Sequence, residues 1–145
     1  MTRFKIDSRK RSLSYWLASI MIAGLAIILP TYAIQKASKT IEPIYIAIYL
    51  SAISVITIYA YWSDKKKAEK ELWRTTESTL HSLELAGGWF AAFFSQKIFR
   101  HKTSKKKYQF VFWMIAVIHN YTSFDYMNDW NYTKAAFKFI EPILK

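Results

Sequence analysis

The chain has 145 residues, 52% of them apolar, and a formal charge of +11, a length that holds one domain with no soluble module beside it. Cysteine is absent, which excludes disulfides and thiolate metal sites. In a soluble protein this charge would point to nucleic acid, but here the cations flank long uncharged runs, a pattern that orients membrane helices.

The first run, 13–35, carries no charge over 23 residues, and the second, 43–63, carries none over 21. A hydrocarbon core of about 30 Å needs roughly 20 apolar residues in a helix, so both are expected to span. The basic stretch before the first run (Arg3, Lys5, Arg9, Lys10, Arg11) has the look of a signal n-region. The apolar stretch after it is longer than the roughly 7–15 residues of an ordinary signal core, so an uncleaved helix is expected.

The distribution of lysine and arginine sets the expected topology. Blocks 1–11, 64–74 and 97–107 are rich in cations, the last with no acid at all, whereas 35–43 and 125–145 are nearly balanced. By the positive-inside rule the three basic blocks belong in the cytoplasm, N-terminus included, and the other two segments outside. Segment 76–96 is therefore apolar yet flanked on both sides by cytoplasmic blocks. It also contains Glu77, His81 and Glu84, and Gly87-Gly88 midway. A charge at the centre of a span costs about 2.5–3.5 kcal/mol on insertion scales, and each glycine weakens a helix by about 1 kcal/mol. A broken helical hairpin that re-enters the membrane or lies at its surface meets these constraints, with a plain crossing as the alternative. Run 108–124 is a last span, followed by aromatic residues suited to an interface and a short amphipathic helix over 133–144. The fold class expected is thus all-α integral membrane, with three transmembrane helices plus the broken hairpin; four transmembrane helices is the alternative.

Several polar residues carry candidate chemistry. Asp64 reads as an N-cap for a polar helix over 65–74. Glu77, His81 and Glu84 share a helical face, either as a metal face or with Glu77 paired to Arg74 or Arg100. The second reading is preferred, because no other helix supplies matching ligands. Gly87-Gly88 reads as a helix break or close-packing point, or as a place where backbone N–H groups meet an anion. Arg100-His101-Lys102 reads as a phosphate clamp or as an orientation-setting loop that binds headgroups. Phosphate-binding glycine loops, zinc spacings and nucleophile elbows are missing from the sequence, and neither a metal nor a cofactor is expected.

Asp64-Lys65, Ala68, Arg74, Glu77, Leu80, Gly87-Gly88 and Arg100-His101-Lys102-Thr103 with Lys105 together resemble a membrane family of bacteria and archaea called domain of unknown function 1294. The resemblance covers about 44–115, and some members look fused to a cold-shock domain. This chain departs from the pattern at Ala91, where a glycine is usual, at Thr75-Thr76, and at Tyr108, where a phenylalanine is usual. The resemblance implies a bacterial inner-membrane protein and a functional cluster of Asp64, Lys65, Arg74, Glu77, Gly87, Gly88, Arg100, His101, Lys102 and Lys105, without implying an activity. The expected function is a non-enzymatic membrane module whose basic cytoplasmic face binds anionic lipid headgroups or a protein partner. An interfacial enzyme or carrier for a phosphorylated lipid is the alternative. A membrane-tethered nucleic-acid binder is disfavoured, because the aromatics lie apart from the basic clusters.

Overall fold

The computed structural model describes residues 17–103 and 105–142, which are helical and contain no strand. The basic N-terminal residues, positions 13–16 of the first run, Ser104 and residues 143–145 lie outside the described residues.

Helix α1, Leu17–Ala37, is long and apolar enough to cross a membrane. It is interrupted by a turn at Ile27 and resumes as Ile28–Ala37. The interruption follows from Pro30, which cannot donate to the carbonyl four residues earlier. Helix α2, Pro43–Glu69, is the second helix of sufficient length and apolarity. Pro43 starts it at a position where the missing N–H goes unused. It does not stop at residue 63: the helix runs on through Asp64 and the lysines, so Asp64 is not the N-cap of a separate polar helix. The end comes at Glu71, whose φ of 54° is left-handed, with the Leu72 N–H donating to the Lys67 carbonyl at 2.9 Å, a Schellman closure.

Thr76 caps helix α3, Glu77–Leu83, by accepting the Thr79 N–H at 3.2 Å. A π turn, Glu84–Gly88, follows, and Gly87 within it has φ 107°. This conformation is nearly closed to side-chain-bearing residues. Helix α4, Trp89–Ile98, then ends in a second Schellman closure, with Arg100 left-handed at φ 48° and the His101 N–H donating to the Gln96 carbonyl at 3.1 Å. Helices α3 and α4 are a hairpin laid along α2. Thr75 meets Asp64 at one end, Tyr49 reaches the Ala86 carbonyl at the turn, and His101 is back at Asp64. A hairpin reaching from the level of residue 64 toward that of residue 50 is roughly 20 Å deep at about 1.5 Å per residue.

Helix α5, Lys106–Met127, closes the bundle, and α6, Asn131–Ile140, packs against it. The core is Tyr61, Leu80, Trp89, Ala92, Phe93, Tyr108, Phe112, Ile115 and Ala116, with Ala23 of α1. It therefore lies among α2, the hairpin and α5. By contrast, only 6% and 11% of the most apolar windows of α1 and α2 are buried. Their outward faces present Met21, Leu25, Ile44, Ile48, Val55 and Tyr59. At the end opposite Asp64, Lys36 Nζ donates to the Tyr126 carbonyl at 2.8 Å, the Met127 carbonyl at 3.1 Å and Asp129 Oδ1 at 2.6 Å. One cation thus satisfies the C-terminal carbonyls of α5, where the helix dipole is negative, and ties α1 to α5.

Candidate functional site

Two layers of polar side chains occupy the end of the molecule where α2, the hairpin and α5 meet. The outer layer is a charged clasp. Asp64, fully buried on α2, accepts the Thr75 N–H at 3.0 Å on Oδ1. Its Oδ2 lies 2.7 Å from His101 Nε2, 3.4 Å from Lys102 Nζ and 3.8 Å from Arg74 Nη2. Lys102 Nζ also lies 3.3 Å from Glu77 Oε1, and Lys105 donates to the same oxygen at 2.7 Å. Lys102 is therefore held between two carboxylates, with its side chain only 5% exposed. Burying an ammonium group to this extent is costly without such partners.

The loop that delivers these groups is bent to do so. Arg100 and Lys102 are both left-handed, at φ 48° and 62°, a conformation that costs of order 1–3 kcal/mol for residues other than glycine. His101 lies between them and turns inward. The Lys105 hydrogen bond lowers the Glu77 carboxyl; partial burial opposes this and Lys102 adds to it, so the group stays below the ordinary glutamate range.

Of the residues expected in the cluster, Asp64, Arg74, Glu77, His101, Lys102 and Lys105 converge. Lys65 does not: it lies 3.4 Å from Glu69, one turn along α2. Arg100 is exposed and makes no side-chain hydrogen bond or ion pair with the described residues. Gly87 and Gly88 are at the far turn of the hairpin. There Gly88 lets the hairpin touch α2, because a Cβ on it would fall 2.1 Å from Thr57 Oγ1.

The second layer is one turn deeper and surrounds a buried acid. Glu84, fully buried, receives the hydroxyls of Tyr61 and Tyr108 on Oε1, the latter at 2.8 Å. The two tyrosine oxygens are 2.5 Å apart. Glu84 Oε2 is 2.6 Å from His81 Nδ1, and the His81 ring stacks on Tyr108 at 4.2 Å between centroids. Gln96 Nε2 donates to Tyr61 at 3.2 Å, and Gln109 Nε2 donates to Gln96 Oε1 at 2.5 Å and to the Lys102 carbonyl at 3.2 Å. Lys102 Nζ lies 4.9 Å from the centre of the Tyr108 ring, joining the two layers.

The metal face read from Glu77, His81 and Glu84 does not form: Glu77 turns to the lysines while His81 and Glu84 pair with each other. Among the described residues no group of three or more potential ligands is placed to hold a metal. The Tyr61 and Tyr108 partners of Glu84, and Gln96 and Gln109 that extend the layer behind Tyr61, went unrecognised in the sequence. The signal for them was an acid inside an apolar run, which demands donors from other helices, and Tyr108 standing where the resemblance places a phenylalanine.

Residues 54–108 match the family model described as Protein of unknown function (DUF1294). That stretch is similar to the family over 55 of the chain's 145 residues. Except for Gln109, every side chain of both layers falls within it, as do Thr57 and the Gly87-Gly88 turn. The matched segment is therefore the second half of α2, the hairpin and the start of α5. No curated protein and no solved structure matches the chain.

Proposed function

We propose that the chain is a bacterial inner-membrane module in which α1, α2 and α5 cross the bilayer and the α3–α4 hairpin enters from the cytoplasmic side. In this reading the basic cytoplasmic end binds anionic headgroups and offers a docking face to a protein partner, with the N-terminus inside. The observation that carries it is the Asp64 clasp, which brings blocks 64–74 and 97–107 to one end of the molecule. The clasp uses Arg74, His101, Lys102 and Lys105 on its own two acids, and Lys65 and Lys66 lie near Glu69. Lys67, Lys70, Arg100, Lys106 and Lys107 then have no acidic partner among the described residues, and each such cation near an anionic surface contributes about 1 kcal/mol. The exposed apolar faces of α1 and α2 suit lipid, and Trp73, 91% exposed beside the cations, suits an interface.

Purified protein in neutral detergent tests this directly. Adding phosphatidylglycerol should raise the unfolding temperature more than phosphatidylcholine does, and salt should erase the difference. The combined Lys67, Lys70, Lys106 and Lys107 to glutamine variant should lose most of the response. Equal responses to both lipids would remove headgroup binding.

A second reading, an interfacial enzyme or carrier for a phosphorylated lipid, is favoured by the Asp64–His101 pair, in which a buried carboxylate orients an imidazole beside an exposed arginine. Under it, His101→Ala would abolish turnover of such a lipid while leaving insertion intact.

A further inference from the structure

The Glu84 layer is independent of headgroup binding. In the proposed topology, on which this inference rests, Glu84 is a carboxyl group at membrane depth, where an ionisable residue points to function, and its partner His81 is ionisable too. We propose that Glu84 and His81 form a proton-exchange site inside the hairpin. The pair holds one proton between Glu84 Oε2 and His81 Nδ1, 2.6 Å apart.

The geometry supplies an entry for that proton. Glu84 is fully buried, but the His81 side chain is 17% exposed, and its Nε2 makes no hydrogen bond with a described residue. A proton arriving at Nε2 allows the Nδ1 proton to pass to Oε2. The imidazole is left neutral with its hydrogen on Nε2, and the carboxylate becomes the acid. The reverse transfer discharges the site. The ring is fixed for this by stacking on Tyr108.

The surroundings fix the carboxyl group in place. Tyr61 of α2 and Tyr108 of α5 aim hydroxyls at Oε1. From α4 comes Gln96, uncharged, which donates to Tyr61, and from the clasp loop Lys102 lies over the Tyr108 ring and is occupied by Asp64 and Glu77. A second, independent feature is the π turn that begins at Glu84 itself. Single π turns inside helices occur frequently at functional sites, and this one sits where the hairpin must bend.

Infrared difference spectra of the full chain in liposomes, recorded between about pH 5 and about pH 9, a range that covers histidine chemistry, test the assignment. The expected result is a protonated-carboxyl band that exchanges for a carboxylate band together with imidazole ring modes. The carboxyl band should shift in Glu84→Asp and lose its coupled imidazole change in His81→Gln. An unaltered difference spectrum in both variants would place the proton elsewhere and overturn the proposal. So would a wild-type spectrum with no carboxyl change across the range. Should the variants not fold, wild-type protein with labelled histidine and glutamate carries the decision by magnetic resonance. A His81 ring shift that tracks a glutamate carboxyl shift supports the site, and independent or absent shifts refute it.

Discussion

At the scale of single residues, burial and pairing decide the cost of a change. Removing Asp64 would leave Lys102 buried with one carboxylate instead of two and strip His101 of its partner. Breaking a buried pair from one side costs about 3–5 kcal/mol, so Asp64→Ala should unfold at markedly lower denaturant in detergent. Asp64→Asn, which keeps an acceptor for the Thr75 N–H, should lose less. Gly88 is equally constrained for a steric reason. A methyl there meets Thr57 Oγ1 at 2.1 Å and the Leu83 carbonyl at 2.8 Å, so Gly88→Ala should cost about 1–3 kcal/mol of overpacking, read in the same unfolding assay. Glu77 sets a pH dependence. Its folded carboxyl is held below the ordinary range, chiefly by Lys105. The stability it contributes is therefore complete above the unfolded value and is lost as pH falls through the folded one. Acidification into and below the glutamate range should loosen the backbone at Lys102 and Lys105, measured by hydrogen exchange, and Glu77→Gln should remove that part of the response.

At the scale of elements, the hairpin is held shut at its ends and bent at its middle. The Schellman closures at Glu71 and Arg100 use side-chain-bearing residues where glycine is usual, so backbone strain is balanced by the clasp that they position. At the opposite end of the molecule Lys36 links α1 to the last carbonyls of α5. Lys36→Met should leave the clasp intact while amide exchange rises over 124–130, and unchanged exchange there would show that packing alone holds the end of α5. Helix α6 is started by a residue outside it: the Asp125 carboxylate accepts the Tyr132 and Thr133 N–H groups, both at 3.0 Å. Asp125→Ala should therefore fray α6 before α5, visible as early protease cleavage within 131–140.

At the scale of the whole molecule, the clasp and the Lys36 link lie at opposite ends. Asp64, Thr75 and His101 share one end; Lys36, Tyr126 and Asp129 share the other. With the clasp in the cytoplasm, the C-terminus of α5 falls outside. A C-terminal fusion to a reporter active only outside the inner membrane should therefore be active, and a reporter after residue 103 should be silent. The reverse pair of results would sink the three-crossing topology.

Helicity, the two long apolar runs and the basic blocks were determined by the sequence alone, because each follows from local composition: length against bilayer thickness, and charge against helix ends. The Asp64, Arg74, Glu77, His101, Lys102 and Lys105 set was also legible, through its resemblance to the DUF1294 pattern and through the shared sign of its two blocks. The tertiary structure alone decided which of those residues meet. Lys65 and Arg100 are one residue away from clasp members, yet α2's helical rotation turns Lys65 toward Glu69 and a left-handed backbone leaves Arg100 outside. The continuation of α2 past residue 63 likewise gave Asp64 a partner eleven residues away instead of a cap, since Thr75 returns to it only once the hairpin is docked. The Glu84 layer was least legible, because its donors come from α2, α4 and α5. No spacing along one helix can announce a hydrogen bond made across four.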